Sequence, residues 1–88
     1  MKAIEIDPNN QKALFNIGIC YTSLGNYSES IAFFDKAIAL DSTNGQYYCN
    51  RGYSKLLLNN STEACKDFNI ALDYGADKAK DLLLYCKE

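Results

Sequence analysis

Four cysteines are the most reactive side chains in this 88-residue sequence. Cys20, Cys49, Cys65 and Cys86 are separated by 29, 16 and 21 positions, so no CxxC pair occurs. The sequence contains no histidine, which removes a common zinc ligand and the usual partner of an activated cysteine. The residues therefore predict no metal site, no cysteine nucleophile and no bound cofactor.

The even number of cysteines is also compatible with two disulfides. However, residues 1–7 lack the apolar segment of a secretory signal, which favours a cytoplasmic chain with reduced thiols. Free cysteine behaves as a small hydrophobic residue, so we expect reduced cysteines that pack in the core. No apolar run approaches the roughly 18 residues of a membrane span, and no membrane contact is expected.

Other routes to catalysis are also weak. Two carboxylates, Asp35 and Asp67, are expected to face solvent, and neither phosphate-binding glycine motif is present. Nine Lys and Arg residues against eleven Asp and Glu give a net charge of −2, which disfavours nucleic-acid binding. We therefore expect a protein that is not an enzyme and that does not bind nucleic acid.

An internal repeat organises the chain, since residues 11–44 and 45–78 agree at equivalent positions. Small residues align with small ones, an aromatic residue aligns with an aromatic one, and the turn residues coincide. The seven identities are Asn16/Asn50, Gly18/Gly52, Leu24/Leu58, Asn26/Asn60, Glu29/Glu63, Phe34/Phe68 and Ala37/Ala71.

Each unit shows the apolar spacing of two helices separated by a tight turn. Gly25, Asn59 and Gly75 are residues that tolerate a positive φ, so they are expected to end helices. Asn26 and Asn60 each precede a glutamate by three residues, as in a helix N-cap. The predicted helices cover about 11–24, 28–41, 45–58, 61–74 and 77–87, with a short piece at about 2–6.

The order of these residues resembles the tetratricopeptide repeat, a helix–turn–helix unit of about 34 residues. The first unit supplies the motif residues Leu14, Ile17, Gly18, Tyr21, Gly25, Tyr27, Ser30, Phe34 and Ala37. The second unit supplies Tyr48, Gly52, Ala64, Phe68 and Ala71. The departures from the motif are Ser42, Arg51, Lys55, Asn59 and Ser61. We expect Arg51, at a position that is usually apolar, to extend towards a surface carboxylate.

This resemblance implies an all-α fold, a right-handed α-α superhelix of antiparallel helix pairs. In one domain spanning 1–88, it divides the chain into the end of a preceding repeat (1–10), two repeats (11–44 and 45–78) and a capping helix (79–88). Residues such as Ala3 and Pro8 fit that preceding repeat, so a segment of a longer repeat array is expected. Leu82, Leu83, Leu84 and Tyr85 are expected to cover the second repeat.

The resemblance also implies a function, because the first helices of stacked pairs line a concave surface. We expect a protein-interaction module that holds a peptide or partner segment there. The alternative is a spacer or self-association segment of a larger repeat protein. The implied groove residues are Lys12, Phe15, Asn16, Ile19, Thr22, Gln46, Cys49, Asn50, Tyr53, Leu56, Lys80 and Leu83.

Two points about this groove stay open. Phe15, Ile19 and Tyr53 either form an apolar strip for a peptide or widen the core contact with the next helix. In addition, some members of the family hold a C-terminal carboxylate at five positions, of which only Asn50 and Lys80 match here. A full carboxylate clamp is therefore not expected, because the paired cations that strengthen such bonds are missing.

Overall fold

The computed structural model describes residues 10–86, and every regular element in that range is helical. This confirms the all-α prediction. The α-helices are α1 (Gln11–Ser23), α2 (Tyr27–Leu40), α3 (Gly45–Leu57), α4 (Ser61–Asp73) and α5 (Lys78–Leu82), followed by a 3₁₀ segment at Leu83–Cys86. The predicted helix at about 2–6 and the preceding repeat at 1–10 lie outside the described residues, apart from Asn10.

The helix ends follow the local sequence signals closely. Gly25, Asn59 and Gly75 have φ values of 82°, 66° and 91°, which confirms their predicted role in ending helices. The Asn60 side chain accepts a hydrogen bond from the Glu63 amide at 3.4 Å, as expected of an N-cap. Asn26 also occupies the N-cap position of α2, as predicted, but its side chain makes no capping hydrogen bond.

Each helix pair closes around a phenylalanine that faces a glycine. Phe34 and Phe68 are completely buried. A Cβ atom on Gly18 would lie 2.5 Å from Phe34 Cε1, and one on Gly52 would lie 2.7 Å from Phe68 Cε1. Such distances are too short for a methyl group, so the glycines let the paired helices approach until the rings fill the space between them.

The two helix pairs stack through aromatic and hydroxyl contacts. The Phe15 ring lies 4.7 Å from that of Tyr47 in α3 and 5.6 Å from that of Phe34. Ser54, which is fully buried, accepts a hydrogen bond from Ser30 at 2.8 Å and shares one with Thr22 at 3.0 Å. These contacts join α1, α2 and α3, and they satisfy the hydroxyl groups that burial removes from water.

The C-terminal segment differs from the single helix that was predicted for 77–87. Only Lys78–Leu82 is α-helical, and the chain then tightens into the 3₁₀ segment. Leu82 and Leu83 pack against the second repeat as expected, whereas Leu84 and Tyr85 are 68% and 66% exposed. The prediction that all four would cover the repeat is therefore wrong for the last two.

The cysteines also correct a prediction. Cys65 of α4 is joined to Cys86 of the 3₁₀ segment by a disulfide, across 21 positions of sequence. Cys20 and Cys49 are free thiols, and only Cys49 is buried. The expectation that all four cysteines are reduced is wrong for Cys65 and Cys86, because the 3₁₀ segment that carries Cys86 packs beside α4.

Candidate functional site

A recess lies between α3 and the segment that contains α5. It consists of two adjoining cavities of about 570 and 360 Å³. Both cavities are lined by Cys49, Asn50 and Lys78, and together we call them the α3–α5 recess. The wider cavity extends along Asp41, Thr43, Asn44, Gly45, Gln46, Tyr74, Gly75, Ala76 and Asp77, and the narrower one along Tyr53 and Leu82.

One face of α3 forms the inner side of this recess. Gln46, Cys49, Asn50 and Tyr53 follow the i, i+3, i+4, i+7 spacing of one helical face, so they project from the same side of the helix. The structure therefore brings together four of the five residues that the sequence analysis assigned to a groove in the second repeat, the exception being Leu56. Tyr53 is 40% exposed, which leaves its ring accessible beside the recess.

The groove residues assigned to the first repeat lie elsewhere. Lys12 and Asn16 are exposed on α1 and Ile19 is half-buried, but none of them lines either cavity. Phe15 is half-buried and packs against Tyr47, which matches the alternative in which it widens the core contact.

Other assigned residues also serve the fold more than the recess. The Thr22 hydroxyl bonds to Ser54, while Leu56 and Leu83 pack against the core of the second repeat.

On the opposite wall, the recess is lined by two residues that the sequence analysis did not assign. Lys78 and Leu82 of α5 lie there, whereas Lys80 is exposed on the same short helix and lines neither cavity. Lys78 is the last residue of the second repeat unit and the first residue of α5, so its position at the start of this helix is predictable from the repeat. The rotation of α5 could not be read, because it depends on how the C-terminal segment is fastened to α4.

The chemistry of the recess changes along its length. The Asn50 side chain donates from Nδ2 to the Gln46 carbonyl at 2.9 Å, so its amide is held in place on α3. Burial raises the pKa of the Cys49 thiol, and the nearby Lys78 ammonium acts in the opposite direction. The thiol therefore stays protonated on the recess floor at neutral pH. Towards Tyr53 and Leu82 the lining becomes apolar.

Behind the recess, an ion cluster fixes α3 to its neighbours. Arg51 donates to both Asp67 oxygens, from Nε at 2.9 Å and Nη2 at 2.8 Å, and from Nη1 to Asp35 at 2.7 Å. Lys55 Nζ lies 3.2 Å from the same Asp67 carboxylate. The hydrogen bonds to Asp67 are the main reason that the pKa of Arg51 is raised.

This cluster corrects one expectation and refines another. Asp67 is buried rather than facing solvent, because Arg51 and Lys55 compensate its charge. Arg51 does reach a surface carboxylate, that of Asp35, but it also pairs with the buried one. The cluster links α2, α3 and α4, and so it positions the helix that forms the recess.

Between residues 10 and 86, no three Cys, Asp or Glu side chains are grouped closely enough to hold a metal ion. Among the helices in this same range, none has both the length and the apolar character required to cross a membrane.

Antiparallel helix pairs that recur along the sequence place the chain among the helical repeat proteins. Residues 12–44 match the family model of the tetratricopeptide repeat. The chain is also 35% identical over 67 residues to the mitochondrial import receptor subunit TOM70 of Saccharomyces cerevisiae, in the sequences of two strains. That match covers 76% of this chain and 11% of the receptor subunit. These matches support assignment of the chain to the tetratricopeptide repeat family, whose repeats are typically non-enzymatic protein-interaction elements.

Proposed function

We propose that this protein is a non-enzymatic interaction module that holds a short extended segment of a partner protein in the α3–α5 recess. The observation that carries the proposal is that two cavities lie along one face of α3 and share Cys49, Asn50 and Lys78 in their linings. Gln46 and Tyr53 are seven residues apart, so the face is about 10 Å long at about 1.5 Å per residue. An extended peptide covers that length with about three residues.

The lining favours a segment with mixed chemistry. Asn50 and Gln46 offer amide groups to a peptide backbone, and the Lys78 ammonium favours an acidic side chain near the middle of the recess. Tyr53 and Leu82 favour an apolar side chain at the narrower end. An internal segment fits this better than a C-terminal carboxylate, because Lys80, the one matching cation of the family's carboxylate clamp, does not line the recess.

The match to the family model and the likeness to an import receptor subunit support a protein partner of this kind. So short a contact buries less than the roughly 1,200 Å² of a stable complex, so we expect a dissociation constant in the micromolar range or weaker. A module of this strength suits a reversible interaction, and a longer protein could combine several such contacts.

The test begins with the selection of short peptides from a random displayed library on the immobilised protein. The affinity of the selected peptide is then measured by fluorescence anisotropy. Tyr53→Ala should weaken binding at least about fivefold, which corresponds to about 1 kcal/mol. Tyr85→Ala is the matched control, because Tyr85 is exposed but lines neither cavity. Equal losses in the two variants, or none in Tyr53→Ala, would contradict the proposal. Sedimentation of the unliganded protein at several concentrations separates peptide binding from self-association.

A further inference from the structure

The disulfide is placed where the recess needs support. Lys78 and Leu82 of α5 form one wall of the recess. Four residues after Leu82, Cys86 is bonded to Cys65 in α4. The covalent bond therefore ties the end of this wall to a helix that is packed firmly in the second repeat.

Few other interactions hold this wall. The five residues of α5 are far fewer than the roughly 12 that an isolated helix needs in water. Its first residue is preceded by Asp77, whose side chain makes no capping hydrogen bond. Within α5 only Ala79 is buried, and Leu82 and Leu83 add partly buried contacts with the second repeat.

The conformation of the segment fits a covalent anchor at its end. After Leu82 the chain passes into a 3₁₀ segment, a tighter helix with poorer hydrogen-bond geometry that is normally short. The Cα atom of Cys86 lies 5.7 Å from that of Cys65. Both cysteines are half-buried, so the sulfur atoms are not sealed from a reductant.

We propose that the Cys65–Cys86 disulfide holds the α5 wall in place against α4. Its reduction then opens the α3–α5 recess and weakens partner binding. The consequence for binding rests on the function proposed above. The effect of the disulfide on the position of α5 can be measured without any partner.

The chemical step requires a dithiol reductant. One of its thiolates attacks a sulfur of the Cys65–Cys86 bond and forms a mixed disulfide, and its second thiol then displaces the protein sulfur. Two electrons and two protons pass to the protein, which gains two thiols, while the reductant becomes a disulfide. Without the bond, α5 and the 3₁₀ segment depend on non-covalent packing, chiefly that of Ala79, Leu82, Leu83 and the Cys86 side chain.

Cys49 provides a reporter of this opening within the protein. Cys49 is 6% exposed, and it belongs to the same apolar cluster as Ala79 of α5. When α5 moves away, the thiol on the recess floor becomes accessible to an alkylating reagent. Since alkylation requires the thiolate, the raised pKa of buried Cys49 also keeps the reaction slow while the wall is closed.

The experiment compares Cys20→Ser with the triple variant Cys20→Ser/Cys65→Ser/Cys86→Ser. Cys20 is exposed and outside the recess, and after its removal Cys49 is the only thiol in both proteins once the first has been oxidised. Iodoacetamide is added without reductant, and alkylation is followed by intact mass. We expect alkylation to be at least about tenfold faster in the triple variant, since local opening governs exposure of the thiol. Equal alkylation rates in the two proteins would show that the disulfide does not hold the α5 wall in place, and they would overturn the proposal.

Amide hydrogen exchange separates a local wall from general unfolding. The amides of Phe34 and Phe68 should keep their protection in the triple variant, while those of Ala79 and Leu82 should lose it. If the amides of the buried phenylalanines lost protection to the same extent, the disulfide would stabilise the whole fold and not α5 in particular, and the proposal would be wrong.

The selected peptide completes the test. Its affinity for the triple variant should be at least about tenfold weaker than for oxidised Cys20→Ser, which corresponds to about 1.4 kcal/mol. Equal affinity in both proteins would refute redox control and leave the binding function intact. If no peptide binds the oxidised protein, the proposed binding function is wrong. The alkylation and hydrogen-exchange results still decide whether the disulfide holds the α5 wall in place.

Discussion

Replacing Arg51 by leucine should destabilise the protein far more than the replacement of a surface residue. Asp67 has a side chain that is only 4% exposed, and it takes two hydrogen bonds from Arg51, at 2.9 and 2.8 Å. In Arg51→Leu the buried carboxylate keeps one charged neighbour, Lys55, at 3.2 Å. The variant therefore leaves a buried charge with about half of its compensation.

The expected cost follows from these contacts. Removing one partner of a buried ion pair costs about 3–5 kcal/mol. The lower end applies here, because Lys55 remains in place and the Arg51 side chain is itself 18% exposed. The lost contact with Asp35, a carboxylate that is 55% exposed, adds less than about 1 kcal/mol. We expect a loss of about 3 kcal/mol, which is a large part of the roughly 5 kcal/mol typical of small domains.

Urea unfolding followed by far-ultraviolet circular dichroism measures this loss. The double variant Arg51→Leu/Asp67→Leu is the matched control, because replacing both members of a buried pair by apolar residues is often close to neutral. We expect the double variant to recover most of the stability that the single variant loses. A loss below about 1 kcal/mol in Arg51→Leu, or no recovery in the double variant, would refute the reasoning.

Three further predictions concern the core. Gly52→Ala places a methyl group 2.7 Å from the Phe68 ring, so it should lower stability by about 1–3 kcal/mol despite the better helix propensity of alanine; a thermal midpoint equal to that of the wild type would contradict this. Ser54→Ala removes the centre of the buried hydroxyl network and should cost about 1–2 kcal/mol in urea unfolding, and an unchanged midpoint would count against the network. Burial raises the pKa of both Cys49 and Tyr47, so the native state retains protons that the unfolded chain releases, and stability should fall as pH rises above about 8.5. Cys49→Ala should remove the first part of that fall, and an identical pH profile would refute the assignment.

Much of the fold is predictable from the sequence because its determinants are local. Gly25, Asn59 and Gly75 end helices through a backbone angle that few other residues adopt readily. The contacts of Phe34 with Gly18 and of Phe68 with Gly52 occupy equivalent positions in the two units, so the pairing of helices is specified twice in the chain. The agreement between the two units therefore predicts the repeated helix pairs from the sequence alone.

The features that the sequence analysis missed depend on contacts between distant residues. The burial of Asp67 results from the way Arg51 and Lys55 approach it from another helix, which no spacing in the sequence specifies. The pairing of Cys65 with Cys86 depends on the packing of the C-terminal segment beside α4, across 21 positions of sequence.

The candidate site was predictable on one side only. Gln46, Cys49, Asn50 and Tyr53 share a face of α3 because of helical periodicity, and that face borders the recess. Phe15 has the same kind of position on α1, but the Tyr47 ring of the following repeat lies against it. Periodicity gives the face of a helix on which a residue lies, whereas the neighbouring helix decides whether that face stays open.

The most direct test of the proposed recess is a map of amide chemical shifts in the isotope-labelled, oxidised protein during titration with the selected peptide. We predict that the largest changes occur at Asn50, Tyr53, Lys78 and Leu82, on the two walls of the recess. Changes concentrated around Lys12 and Asn16 on α1, with α3 and α5 unaffected, would contradict the assignment.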